Sequence, residues 1–363
     1  MNIIYPTTLT VALLTSPLSF GAGGPNIFYG HVQPFVELPQ GIRHPEGLAV
    51  NPDNGEVYVG TFDTRMPSST RHNELLRYSA DGKLIAERDF GEAPLTGVEF
   101  KDGKLYVLNF GSSKLQRLRA DFSSSTPIED VVAFKALTPP APPPRYIDNP
   151  DGSQDIVTFS SKGMPSPNGM VFDKHNNLYI SDSFQGAVYR IESVGSCAPC
   201  SLTTFARDPL FATAGHVPFG ANGLAFNQDE SVLYINNAGD GRVLSMPMTG
   251  GQVSVLAESV FGADGLLFHD GYLWVASNQS DAMVALDQRG RVRARVGEFL
   301  GINENGAPKG LLFPSGGAVQ GTRMIVANLA LPLTPAIGDE WEEDVTRWNL
   351  MSFEIPSLGI HNK

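Results

Sequence analysis

The chain has 363 residues, of which 42% are hydrophobic and 18% are charged, and it contains 38 glycines and 27 prolines. This composition predicts a globular protein with a sizeable core and many turns, and it excludes a mainly disordered chain. The formal net charge of -12 argues against a nucleic-acid partner, because phosphate binding needs a basic face.

The first 23 residues, MNIIYPTTLTVALLTSPLSFGAG, have features of a secretory signal peptide. Leu9 to Leu14 form a short apolar run and Gly21 and Ala22 offer a cleavage site, although no Lys or Arg precedes the run. We predict a signal peptide over residues 1–23, with an unstructured N-terminus as the alternative. A secreted or periplasmic location is therefore expected, rather than a cytoplasmic one. No other stretch has the roughly 18 to 20 apolar residues that a membrane-spanning helix needs.

Six related segments follow along the rest of the chain. Each contains a variable residue, a glycine, a short apolar strand, a polar turn and a second apolar strand. The segments are HPEGLAVNPDNGEVYVG from His44, PLTGVEFKDGKLYVLN from Pro94, SPNGMVFDKHNNLYISD from Ser166, GANGLAFNQDESVLYINN from Gly220, GADGLLFHDGYLWVAS from Gly262 and FPSGGAVQGTRMIVAN from Phe313. A third strand-like run follows most of them. Such repetition is typical of a β-propeller, in which each small sheet buries its faces against its neighbours.

The sequence therefore predicts an all-β, six-bladed β-propeller as a single domain over residues 24–363. The interval between the second and third repeats is the longest and contains LTPPAPPPRYIDNPDGSQD, so we expect a Pro-rich inserted loop at about 137–165. NIFYGHVQPFVEL near the start and WNLMSFEI near the end are both strand-like. Pairing them in one blade would close the ring and remove two exposed edges.

The variable residues are predicted to meet at one end of the propeller axis, because the innermost strands surround the central channel. In chain order they are Glu46, Thr96, Asn168, Asn222, Asp264 and Ser315. All six carry oxygen, which suits a hard divalent cation such as Ca²⁺ better than zinc or copper. The alternative is that Asn-Gly and Asp-Gly are here only turn signals, as at Asn54-Gly55 and Asp81-Gly82.

The order Glu, Asn, Asn, Asp in repeats one, three, four and five resembles a known family. This is the senescence-marker-protein and gluconolactonase family of calcium-binding six-bladed propellers, with diisopropylfluorophosphatase and the paraoxonases as relatives. The resemblance implies that Glu46, Asn168, Asn222 and Asp264 ligate a catalytic Ca²⁺, or another divalent cation. Thr96 departs from the paraoxonases, which place a histidine at that position, so a paraoxonase-style histidine mechanism is not expected.

The resemblance also implies metal-assisted hydrolysis of a small lactone or ester, with a lactone as the preferred class. Asp264 would then be the nucleophile or the general base, and the sequence does not choose between these roles. Thr96, Asn109, Asp182 and Ser315 are candidates for the substrate pocket, and the alternative for Asn109 and Asp182 is that each caps a turn. Two other functions remain open: a metal-independent enzyme similar to strictosidine synthase, and a non-catalytic propeller that binds a ligand or protein.

The two cysteines lie three residues apart, at Cys197 and Cys200, between strand-like runs. The sequence around them has no helix pattern, so no helix N-terminus is expected to lower the pKa of either thiol. A zinc site would need further ligands. A small structural disulfide is the prediction, with free thiols as the alternative, and it would fit export to an oxidising compartment. We expect the mature protein to be a monomer without a membrane span.

Overall fold

Six sheets surround a central channel in the computed structural model, which describes residues 27–215, 217–334 and 337–359. The predicted signal peptide lies outside these residues. The described chain is nearly all-β, and its short 3₁₀ helices are Val194–Ser196, Pro209–Phe211, Asn278–Ser280 and Trp341–Asp344. No helix in the described part of the chain is long and apolar enough to cross a membrane. The predicted six-bladed β-propeller is confirmed.

Each blade is an antiparallel meander, and its first strand is the innermost one. The first three blades consist of Pro45–Val50, Val57–Thr61, Glu74–Tyr78 and Leu84–Asp89; Leu95–Lys101, Lys104–Asn109, Lys114–Arg119 and Glu129–Ala133; and Pro167–Phe172, Leu178–Asp182, Ala187–Ile191 and Thr203–Arg207. Blades four to six consist of Ala221–Phe226, Val232–Asn237, Arg242–Pro247 and Ser254–Ala257; Ala263–His269, Tyr272–Ser277, Ala282–Leu286 and Val292–Val296; and Pro314–Gln320, Arg323–Asn328, Asn349–Glu354 and the N-terminal Gln33–Glu37.

The core lies between the blades, in one apolar cluster for each pair of neighbours. The second strand of each blade contributes a large side chain to such a cluster, from the same position of the repeat. These side chains are Tyr58, Tyr106, Tyr179, Tyr234, Trp274 and Ile325. Because no blade can bury its faces alone, every blade depends on its two neighbours.

The ring closes as expected, because Gln33–Glu37 pairs antiparallel with Asn349–Glu354 in blade six. The part of the N-terminal segment before this strand differs from the prediction. Phe28–Gly30 pairs in parallel with the outer strand Val292–Val296 of blade five. The N-terminal segment therefore ties two blades together, and it covers two sheet edges that would otherwise be free.

The segment inserted between blades two and three contains a short hairpin, Arg145–Asp148 with Gln154–Val157, after its prolines. Arg145 Nη1 donates to Asp240 Oδ2 at 2.6 Å, and both side chains are largely buried. The segment was predicted as a loop, but its residues Arg-Tyr-Ile-Asp and Gln-Asp-Ile-Val pair across a turn. The ion pair between Arg145 and Asp240 anchors the hairpin to blade four. A second short hairpin, Phe299–Ile302 with Pro308–Gly310, follows blade five.

A bulge interrupts the pairing of the first two strands at the same point in all six blades, where the variable residue and its glycine lie. Bulges of this kind re-aim a side chain. The glycine is needed because a Cβ on Gly47 would lie 2.2 Å from the Thr96 carbonyl oxygen, and one on Gly169 would lie 2.4 Å from that of Asn222. These glycines do not have positive φ, whereas the turn glycines Gly55 and Gly82 do.

Gly169→Ala is expected to destabilise the protein by about 2 kcal/mol or more, because the backbone of blade four cannot move away from the added methyl group. Gly316→Ala is the matched control, since its added Cβ has only one atom within 4 Å, at 3.9 Å. Urea unfolding followed by tryptophan fluorescence measures both free energies. Equal stability of the two variants would contradict close packing of the innermost strands.

Candidate metal centre

The six variable side chains, called the oxygen ring below, line one cavity at the end of the channel, with a volume of ≈ 90 Å³. They are Glu46, Thr96, Asn168, Asn222, Asp264 and Ser315. All but Glu46, which is partly buried, are buried. Among the described residues, no Lys, Arg or His lines this cavity. The described residues therefore bring oxygen atoms together at this site without a positively charged side chain among them.

The two hydroxyl members of the ring hold neighbouring blades together. Thr96 Oγ1 donates to the Pro167 carbonyl oxygen of blade three at 2.8 Å. Ser315 Oγ donates to the Glu46 carbonyl oxygen of blade one at 2.9 Å. Both hydroxyl protons are thus donated to backbone carbonyl groups of the next blade, so these two side chains link neighbouring blades.

The amide members interact with neighbouring side chains. Asn168 Nδ2 donates to Ser183 Oγ at 3.2 Å, and Ser183 Oγ in turn donates to the Ala221 carbonyl oxygen at 2.6 Å. The Asn222 side chain lowers the pKa of Asp264 by interacting with its carboxylate. Because the Asn168 nitrogen donates to Ser183, the Asn168 amide oxygen is left to accept from, or to ligate, another group.

The two carboxylates of the ring lie close enough to affect each other. Burial raises the pKa of Glu46 well above its usual value, and the Asp264 charge raises it further. Burial raises the pKa of Asp264 to about 7, although hydrogen bonds from Asn278 and Asn222 oppose the shift. Glu46 Oε2 is buried and has no hydrogen-bond partner among the described residues. A buried, unpaired carboxylate is costly unless a cation compensates it, so these residues fit a divalent metal ion.

A second set of six residues, called the upper ring below, directly follows the second strand of each blade. Antiparallel pairing puts the end of that strand beside the start of the innermost one, next to the oxygen ring. The upper ring consists of Phe62, Phe110, Ser183, Ala238, Asn278 and Leu329. Sequence analysis missed these positions, although aligning the repeats at the ends of their second strands would have identified them.

Two members of the upper ring are polar, and both contact the oxygen ring. Asn278 Nδ2 donates to Asp264 Oδ2 at 3.2 Å, while Ser183 Oγ accepts from Asn168. The other four are apolar. The upper ring thus positions two of the candidate ligands and covers the remainder of the site with hydrocarbon.

Asn109 and Asp182, which were candidates for the substrate pocket, do not line the described cavity. Asn109 Oδ1 accepts from the Ser112 backbone N–H at 2.9 Å. Asp182 is fully buried, and its carboxylate accepts from Ser166, from Tyr189 and from the turn that follows it. Both side chains hold turns within their own blades.

Cys197 and Cys200 are joined in a disulfide, in the loop between the third and fourth strands of blade three. The Cys200 backbone N–H donates to the Val131 carbonyl oxygen of blade two at 2.8 Å. The disulfide loop therefore packs across the boundary between blades two and three.

An acidic cluster that could hold a metal ion lies outside the channel, at Asp339, Glu340 and Glu343. Asp339 is exposed, and the carboxylate of Glu340 accepts from the backbone N–H groups of Leu333 and Thr334. These bonds fold the loop that carries the cluster, and the cluster serves below as a control for the oxygen ring.

One further carboxylate, Glu99, lines the channel three residues beyond Thr96. The corresponding positions in the other blades are Ala49, Val171, Ala225, Leu267 and Ala318. Burial raises the pKa of Glu99 to about 8, and no hydrogen bond or opposite charge offsets it. The folded state therefore holds a proton on Glu99 that the unfolded chain releases at lower pH.

Glu99→Gln should remove a pH-dependent cost to stability. The cost is absent below the usual pKa near 4.5 and grows as pH rises to about 8, because the unfolded chain releases a proton that folded Glu99 still holds. Above pH 8 the variant should be more stable than the wild type by on the order of 4 kcal/mol. Thermal unfolding from pH 5 to 9 measures the difference, with the exposed Glu304→Gln as control. A constant difference across this range would show that Glu99 does not titrate in the folded protein.

No family model matches the chain, and no curated protein matches it in sequence. Its structure is similar to those of known six-bladed propellers. A luciferin-regenerating enzyme is 14% identical with a TM-score of 0.57, over 86% of this chain and 92% of that one. The calcium-binding protein regucalcin from Agrobacterium tumefaciens is 15% identical with a TM-score of 0.51, over 83% and 88%. A gluconolactonase from Xanthomonas campestris is 16% identical with a TM-score of 0.50, over 86% of both chains. At these identities the similarity establishes the shared fold.

Proposed function

We propose that this protein is a metal-dependent hydrolase, and specifically a lactonase that uses Ca²⁺ at the oxygen ring. The observation that carries the proposal is the pair of buried carboxylates, Glu46 and Asp264, at the channel end without a cationic partner among the described residues. Similarity in fold to regucalcin, a calcium-binding protein, and to a gluconolactonase supports the same function.

Glu46, Asn168, Asn222 and Asp264 are the residues that would hold the ion. Two carboxylates balance its charge and two amides add neutral oxygens, so a hard divalent cation has ligands without excess negative charge. When bound, the ion supplies Lewis-acid polarisation of the scissile carbonyl group.

Asp264 is the group that this chain offers for the bond-making step. Its carboxylate is oriented by Asn278 and by Asn222, so one face of it is held while the other faces the cavity. As a general base it would take a proton from water while the water oxygen attacks the acyl carbon. As a nucleophile it would attack that carbon itself and form an acyl anhydride, which water would then hydrolyse to release the hydroxy acid and restore the Asp264 carboxylate. In either case the ring C–O bond breaks, and the departing oxygen takes up a proton.

Asp264→Asn and Glu46→Gln are expected to abolish stoichiometric Ca²⁺ binding and to lower kcat/KM for a lactone by at least about 100-fold. Equilibrium dialysis measures bound metal, and pH-stat titration measures hydrolysis before and after chelation. Asp339→Asn, in the acidic cluster, should leave both unchanged.

The outcomes separate the alternatives. Ca²⁺ binding without turnover of any lactone or ester would favour a non-catalytic binding propeller. Activity that persists after chelation and in Asp264→Asn would overturn the proposed mechanism and favour a metal-independent enzyme. Loss of the bound ion in Asp339→Asn would move the metal site to the acidic cluster.

The affinity for Ca²⁺ should decrease as the pH is lowered, because a proton and the ion compete for Asp264. The pKa of this group is raised to about 7 in the metal-free site, so it is ionised above that pH and protonated below it. Below pH 7 the Kd should therefore rise by about tenfold for each unit by which the pH is lowered. Isothermal titration calorimetry at pH 6, 7 and 8 tests this. A Kd independent of pH over this range would show that Asp264 does not carry a competing proton.

A further inference from the structure

The walls of the space over the oxygen ring are mostly apolar, and we infer from them that the substrate carries an apolar substituent. On this inference, which rests on the proposed lactonase function, the preferred substrates are alkyl- or aryl-substituted lactones. Polyhydroxylated sugar lactones are poor substrates.

The innermost part of this wall is buried hydrocarbon. Phe62 and Phe313 are each 6% exposed and Leu329 is 4% exposed, and the three pack in one cluster with Leu331. Phe62 and Leu329 belong to the upper ring, so they lie one layer from the oxygen ring. A substituent attached to a lactone ring bound there would contact carbon atoms.

An aromatic arc extends the wall across four blades. The ring centroids of Phe62 and Phe110 are 5.4 Å apart, those of Phe110 and Phe184 are 6.2 Å apart, and those of Phe184 and Phe219 are 5.4 Å apart. Phe110, Phe184 and Phe219 are only partly buried. Phe219 lines the space itself, and a partly exposed aromatic side chain there is suited to contact an apolar ligand.

Polar groups that could recognise sugar hydroxyls are scarce here. Above the oxygen ring, Asn278 is the polar residue among the described ones that line this space. Its Nδ2 donates one hydrogen to Asp264, and its Oδ1 has no partner among the described residues. The several hydroxyls of a sugar lactone would lose hydrogen bonds to water and gain few in return, and such unpaired groups are strongly disfavoured.

The upper space is narrow, ≈ 40 Å³, so a substituent has to move side chains at its outer edge. Phe219 and Leu333 are the partly buried members of the wall there, whereas Phe62, Phe313 and Leu331 are buried. Phe219 is therefore the residue at which specificity can be changed with least effect on the core.

The test compares three kinds of lactone with the same six-membered ring. They are unsubstituted δ-valerolactone, a series of δ-alkyl homologues of it, and glucono-δ-lactone. For the wild type, kcat/KM should rise about fourfold for each added methylene over the first few. Glucono-δ-lactone should be at least about 100-fold poorer than the best alkyl lactone. A sugar lactone preferred over the alkyl series would overturn this inference and leave the lactonase function standing. Hydrolysis of none of the three would instead remove the lactonase proposal on which the inference rests.

Phe219→Ser should lower the ratio of kcat/KM for the alkyl lactones to kcat/KM for δ-valerolactone by about tenfold, because Phe219 lines the space that the alkyl group would enter. Phe261→Ser is the matched control, because Phe261 is 57% exposed and does not line the cavity. Calorimetric binding of the matching alkyl and unsubstituted lactams gives a readout that does not depend on turnover. Equal affinity for these two lactams would contradict the inference, and thermal unfolding establishes that each variant is folded.

Discussion

The close approach of the innermost strands around the axis is the constraint on which the rest of the structure depends. Neighbouring strands meet so tightly that a Cβ on Gly47 would lie 2.2 Å from the Thr96 carbonyl oxygen, and five of the six glycines are confined in this way. At each glycine the bulge turns the preceding side chain into the channel. Packing between blades and placement of the oxygen ring are therefore consequences of the same backbone feature.

Charge in the ring is arranged at a cost to the metal-free protein. The pKa values of Glu46 and Asp264 are both raised, and the Oε2 atom of Glu46 is buried without a hydrogen-bond partner among the described residues. Thr96 and Ser315 carry no charge, and their hydroxyls join neighbouring blades. The ring thus separates two tasks: hydroxyls stabilise the closure of the channel, and carboxylates with amides provide oxygen atoms for a cation.

The two rings also differ in what they can recognise. Candidate ligands on the oxygen ring are supported from the upper ring by Asn278 and Ser183, whereas Phe62 and Leu329 exclude water from the same space. A low-dielectric cover strengthens the electrostatic interactions beneath it. In the proposed lactonase, the same hydrocarbon would contact the substrate, and the upper ring would contribute to specificity.

Repetition in the sequence was enough to predict the six blades, their closure through Gln33–Glu37 and the set of residues facing the axis, because each repeat independently encodes the same strand, turn and glycine. The parallel pairing of Phe28–Gly30 with blade five, the turn roles of Asn109 and Asp182, and the support of Asp264 by Asn278 were decided only by the tertiary structure. Some of these features join parts of the chain that lie in different repeats. The others are roles of polar side chains for which the local sequence allows several equally good partners. Local pattern determines which strand a residue belongs to, but only packing determines which partner its side chain finds.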